Sequence, residues 1–197
     1  MSGFKNFAVI GAGVIGGSII HQLLTDKAAG TVDDVVVLTR KVSFTSAPLR
    51  PDSRTDQVLQ GSKTAVDPAA KLIAVDYSDK ESIKKALTGV DVVISTITWM
   101  ALDVQPGIAE AAKEAGVKLF VPSEFGGPTE GTTGGILGEK ANFQEQLRAI
   151  GIPYSLFYTG LFSDYVWVPS AILFAVLPCR LFNRRAGWWA SMSPVAK

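Results

Sequence analysis

The residues best suited to chemistry begin near the amino terminus, at Gly11-Ala12-Gly13-Val14-Ile15-Gly16-Gly17. An apolar run precedes them and a helical pattern follows, the context in which a glycine turn binds the pyrophosphate of a dinucleotide. The first glycine permits the tight turn, the second lets backbone approach the pyrophosphate, and the third lets helix and strand pack closely. The N–H groups at the start of the helix face the anion. A glycine-rich turn can also serve plain packing, so the motif needs its context.

The end of the second apolar run selects between dinucleotides. An NAD site places Asp or Glu there for the ribose 2′-hydroxyl, whereas this chain reads Leu38-Thr39-Arg40-Lys41. Arg40 can grip a 2′-phosphate through paired hydrogen bonds, which favours NADP(H); otherwise Arg40 and Lys41 are solvated loop charges. Asp76-Tyr77 and Ser95-Thr96 end two further runs, at the sheet edge where ligands of such folds bind. Asp76 either accepts from an adenine amino group or is a turn acid at the next helix, and Thr96 is a candidate cofactor contact. In "FVPSEFGG", residues 120–127, Ser123 and Glu124 offer polar contacts at the same edge.

Lys140 is the candidate acid–base group. It lies three residues before Phe143 and seven before Leu147, in phase with a stripe that Ile150 continues. A lysine on an inward helix face beside a cleft can have its pKa lowered by desolvation and exchange a proton with a hydroxyl or carbonyl. The alternative is a first-turn lysine that snorkels to water. His21 lies within the first helix and is read as structural or exposed. Cys179 has no partner histidine and no metal spacing, so no metal site is expected.

The elements that must position these residues alternate. Strands are predicted at Phe7–Ile10, Val35–Leu38, Leu72–Val75, Val92–Ile97, Lys118–Val121 and Tyr154–Tyr158. Helices are predicted over Val14–Leu24, from a Ser78/Glu81 capping box to Gly89, over Val104–Ala115 and over 139–150. Such alternation gives βαβ units and a doubly wound α/β parallel sheet. Residues 41–70 lack periodicity and read as a long loop.

The 197 residues suffice for one domain with a proper core, and 47% hydrophobic against 19% charged residues describes a globular chain. Nineteen basic against eighteen acidic residues give no global pull toward nucleic acid. One cysteine excludes an internal disulfide and fits a reducing, cytoplasmic compartment. Phe7–Leu24 carries no charge, yet its four glycines, histidine and glutamine suit strand, turn and helix better than a membrane span. All eighteen acids and fifteen of the bases fall in residues 1–164, while 165–197 hold four bases and three of the four tryptophans. The expected division is therefore a nucleotide-binding domain over 1–164 and a divergent basic, aromatic tail over 165–197.

With these residues placed, the chain resembles the NmrA-like and isoflavone reductase-like family of atypical short-chain dehydrogenases. The motifs are "VIGAGVIGG", "VLTR", "VDYSD", "GVDVVIST", "FVPSEFG", "KANFQEQLRAIGIPY" and "YTGLFSDY", between Phe7 and Pro169. The resemblance implies a Rossmann domain that binds NADP(H), with the 2′-phosphate arginine at Arg40 and the catalytic lysine at Lys140. It implies hydride delivery from NADPH to a small aromatic or carbonyl compound, the lysine transferring the proton. Where plant reductases of the family often carry arginine, this chain has Gln144. After "FSDYVWVP" the family pattern stops, as expected of an ending read from another frame or an unspliced segment. The second function class implied is a non-catalytic NADP sensor that regulates a partner protein. Lys140 favours the enzyme, and the altered ending favours the sensor.

Overall fold

A computed structural model describes residues 3–40 and 69–160 of the chain. The expectations for Lys41, for the loop over 41–68, for Cys179 and for the tail lie outside the described residues. Within them, β1 (Asn6–Ile10), β2 (Asp34–Arg40), β3 (Lys71–Val75), β4 (Val92–Ser95) and β5 (Leu119–Val121) form one sheet. Its order is β3-β2-β1-β4-β5, and every pairing is parallel. This is the doubly wound Rossmann arrangement, in which the order reverses between β1 and β4 and leaves a crevice at the strands' carboxyl ends.

The apolar runs form strands because both faces are covered. Along β1 and β2, Ala8, Ile10, Val36 and Leu38 enter one core, and Val9, Val35 and Val37 enter the other. Successive strand residues point to opposite faces, so a continuous apolar run is what a sheet buried on both sides requires. Helix α1 (Val14–Ala28) closes one side with Ile20, Leu23 and Leu24. On the other side lie α2 (Lys80–Ala86), α3 (Gln105–Glu114) and α4 (Gly135–Ile150), which bury Ile83, Ile108, Phe143 and Leu147. Phe120 on β5 meets Phe143 edge to face, with ring centroids 6.1 Å apart. The stretch Phe7–Leu24 is thus strand, turn and helix, and no helix among the described residues is long and apolar enough to cross a membrane.

Several local expectations differ from the structure. The strand expected over Tyr154–Tyr158 reduces to one bridge, Phe120 with Tyr154. Its partner β5 is three residues long and stops at Pro122, which has no N–H to extend the ladder. The N-cap of α2 is Asp79, whose carboxylate accepts from the Glu81 N–H at 3.1 Å. The Ser78 hydroxyl instead donates to Asp76 Oδ1 at 2.6 Å, so no Ser78/Glu81 capping box forms. Strand β4 ends at Ser95, two residues early, because Thr96 turns to bond the glycine loop. Finally, a 3₁₀ helix over Trp99–Val104 precedes α3, and α4 starts at Gly135, four residues before the expected start at 139.

Candidate active site

The glycine turn is built from three different constraints. Gly11 has φ +92°, the left-handed region that glycine alone adopts without strain, and an added Cβ would lie 3.0 Å from the Thr96 carbonyl oxygen. At Gly16 an added Cβ would lie 2.0 Å from the Gly11 carbonyl oxygen and 2.5 Å from Thr96 Oγ1, so this glycine is required by helix–strand packing. Gly13 differs: no heavy atom lies within 4 Å of its missing Cβ. Its absent side chain leaves space toward the outside, where a ligand's phosphates would approach.

Gly13 is also the N-cap of α1, and no side chain caps that helix. The first-turn N–H groups, on Val14, Ile15 and Gly16, have no acceptor within the helix and carry the positive end of its dipole. Thr96 fixes the loop by donating from Oγ1 to the Gly11 carbonyl at 2.7 Å. Its own N–H donates to Ile10 at 2.8 Å.

A cleft of about 380 Å³ opens at this switch point, lined by Gly11, Ala12, Gly13, Thr39, Arg40, Tyr77 and Thr96. Seven of the residues proposed from sequence thus share one surface. Leu38, Ile97, Thr98, Ala101 and Val104 complete it. Arg40 is exposed at the end of β2. Tyr77 donates its hydroxyl to the Leu38 carbonyl at 3.1 Å, and burial pushes its pKa up to about 12, against the opposing pull of the Arg40 cation. The phenol is therefore a neutral wall of the cleft. Asp76 does not line it; its Oδ1 accepts from the Ser78 N–H at 2.9 Å as a turn acid. His21 is exposed on α1, away from this surface.

Ser123 and Lys140 form a second group. Ser123 is buried; its hydroxyl donates to the Ile97 carbonyl at 2.8 Å, and its N–H donates to Gln105 Oε1 at 3.0 Å. Ser123 therefore ties β5 to a wall of the cleft and is not itself a lining residue. Next to it, Glu124 accepts at its main-chain carbonyl from Lys140 Nζ, 2.7 Å away. Lys140 is half-buried, which is not the snorkelling lysine the sequence also allowed. Desolvation lowers its pKa from the ordinary 10.5, and the negative charge of Glu124 opposes that shift.

Sequence reasoning left Glu124 as a strand-ending polar residue and Gln144 as a family departure. Both are buried, and Gln144 Nε2 donates to Glu124 Oε1 at 2.9 Å. Thr129 Oγ1 donates to Glu124 Oε2 at 3.0 Å and accepts from Gln144 at 2.7 Å. The available signal was the i,i+4 spacing of Lys140 and Gln144, which puts both on one helix face above "PSEFG".

Residues 4–172 match the model of the NmrA-like family. The chain belongs to the NmrA-like family. Among its relatives, this NmrA-like chain is 33% identical over 168 residues to isoflavone reductase homolog P3 of Arabidopsis thaliana, covering 82% of this chain and 51% of that protein. It is 42% identical over 96 residues to phenylcoumaran benzylic ether reductase POP1 of Populus trichocarpa, covering 46% of this chain and 31% of that protein. Among solved structures it resembles AtPrR2 with NADP⁺ and (+)pinoresinol, at TM-score 0.62 and 28% identity over 84% of this chain and 53% of that one. The crystal structure of isoflavone reductase superposes at TM-score 0.60 and 28% identity, over 82% of this chain and 51% of that one. The NmrA-like chain thus spans about half the length, or less, of the relatives it matches.

Proposed function

We propose that the chain is an NADPH-dependent reductase of a small aromatic or carbonyl compound, acting in a reducing compartment such as the cytoplasm. The observation that carries this reading is Lys140, a desolvated, hydrogen-bonded lysine tied through Glu124, Ser123 and Ile97 to the wall of a dinucleotide cleft. Lys140 does not itself line the cleft, and its desolvated ammonium, held through that chain of contacts, is a group that nucleotide sensing alone does not require. The relatives' names, isoflavone reductase and phenylcoumaran benzylic ether reductase among them, support reduction of aromatic substrates.

The residues present fit the cofactor. The open side of Gly13 and the uncapped start of α1 receive a pyrophosphate, and Arg40 receives a 2′-phosphate through charge-assisted hydrogen bonds. Tyr77 lines the same end of the cleft. Trp99 and Met100, 60% and 74% exposed between the lining residues Thr98 and Ala101, offer an apolar surface to an aromatic ring. When bound, NADPH supplies the hydride that adds to a substrate carbon. Lys140 supplies the matching proton to the oxygen that takes up the electron pair, then regains one from water. Removing a lysine from the ammonium's place would leave that oxygen to be protonated by solvent.

The test is a titration of the purified chain with NADPH and NADP⁺, followed by NADPH oxidation across aromatic ketones and benzylic ethers. Saturable binding with turnover of at least one substrate class is expected. Tight binding without any turnover would replace this reading with a nucleotide sensor, and no binding would overturn both.

A further inference from the structure

Lys140 and Gln144 lie one turn apart on α4 and hold one residue between them. Lys140 Nζ reaches the main-chain carbonyl of Glu124, and Gln144 Nε2 reaches its carboxylate. We propose that Glu124 is the positioning residue for Lys140: its carbonyl holds the ammonium, and its buried carboxylate, gripped by Gln144 and Thr129, fixes the loop that presents that carbonyl. This rests on Lys140 as the proton-transfer group of the proposed reductase.

A carboxylate that is 1% exposed is costly to bury unless its oxygens are hydrogen-bonded. Here each oxygen has its own donor, Gln144 on one and the Thr129 hydroxyl on the other, and both donors are neutral. Thr129 is itself held, since its carbonyl accepts from the Thr132 N–H at 3.1 Å and from the Thr132 hydroxyl at 2.6 Å. On the other side Ser123 is fixed to Ile97 and Gln105. The segment is therefore anchored at Ser123, Glu124 and Thr129. Gly126 keeps the carbonyl accessible: an added Cβ there would stand 3.3 Å from the Glu124 carbonyl oxygen.

The carboxylate has a second consequence for the lysine. Among the described residues, Glu124 is the charged group whose field acts on the Lys140 ammonium. Glu130 bears on the Tyr158 hydroxyl instead, beyond Gln144, and Glu139 is exposed on α4. Removing the charge of Glu124 while keeping its shape leaves desolvation unopposed, and the lysine then loses its proton at lower pH. A cation placed against the carboxylate acts in the same direction.

The experiment follows the Cε resonance of Lys140 through pH in the full chain, assigned by its disappearance in Lys140→Met. In both Glu124→Gln and Gln144→Arg the titration midpoint is expected below that of the parent chain. NADPH affinity is expected to stay within about twofold, since neither residue lines the cleft. An unmoved or raised midpoint in either folded variant overturns the proposal, and if Glu124→Gln does not fold, Gln144→Arg decides alone. The readout needs no turnover. A chain that binds NADPH and reduces nothing would overturn the reductase reading while the lysine titration still judged the role of Glu124.

Discussion

Lys140 Nζ donates to the main-chain carbonyl of Glu124 at 2.7 Å, which joins helix α4 to the carboxyl end of β5 at the edge of the sheet. The bond turns a flexible side chain into a fixed one, and its half-buried setting makes the ammonium a better acid than a solvated lysine. Lys140→Met is expected to lower turnover by about 10²- to 10⁴-fold, the usual contribution of a positioned acid. NADPH affinity should change little, as measured by fluorescence titration. In the proposed reaction the protonated lysine is the active form, so the rate is expected to fall as pH rises through its pKa. Desolvation lowers that pKa, so the alkaline limb should lie below the ordinary 10.5 of lysine and vanish in Lys140→Met.

The two glycines at the start of α1 should respond oppositely to the same substitution. Gly16→Ala puts a Cβ 2.0 Å from the Gly11 carbonyl oxygen, so the turn must shift. Unfolding by denaturant should show a loss of about 1–3 kcal/mol, the usual cost of overpacking. Gly13→Ala meets no protein atom within 4 Å. It should unfold like the parent chain yet bind NADPH at least tenfold more weakly, because the new methyl occupies the ligand's approach.

At the amino-terminal ends of β1, β4 and β5, Asp91 collects the Lys118 ammonium at 2.6 Å and the N–H groups of Lys5 at 2.8 Å and Asn6 at 2.9 Å. Lys118 foremost, then the two N–H groups, hold its pKa down to about 2 from the ordinary 3.8. A folded pKa below the unfolded one gives stability that is present above the unfolded value and lost as pH falls toward the folded one. Asp91→Asn should therefore destabilise the chain by on the order of 1–2 kcal/mol at pH 7, a figure reduced because Lys118 is largely exposed. Urea unfolding should show the two proteins converging between pH 4 and about pH 2.

The sheet was legible because Ala8, Val9 and Ile10, like Val35 to Leu38, form runs too uniformly apolar for a sheet with a wet face. Gly11 to Gly16 then marked where the first strand turned into a helix. What escaped was set by competition between neighbours. Asp79 captured the cap that Ser78 and Glu81 were expected to form, and the shortness of β5 left Tyr154 without a ladder to join. In the site, Arg40, Tyr77 and Thr96 could be placed from strand ends alone. The partnership of Glu124 with Gln144 could not, because it joins residues twenty apart through a loop whose path no periodicity describes.

Arg40→Ala gives the most direct test of NADP(H) in this cleft. Titrating the parent chain and the variant with NADPH and with NADH isolates the single phosphate by which the two nucleotides differ. Loss of the guanidinium should weaken NADPH by about tenfold or more, the worth of a charge-assisted hydrogen bond, and leave NADH within about twofold. Equal weakening of both nucleotides, or a parent chain that does not prefer NADPH, would contradict the assignment of this cleft.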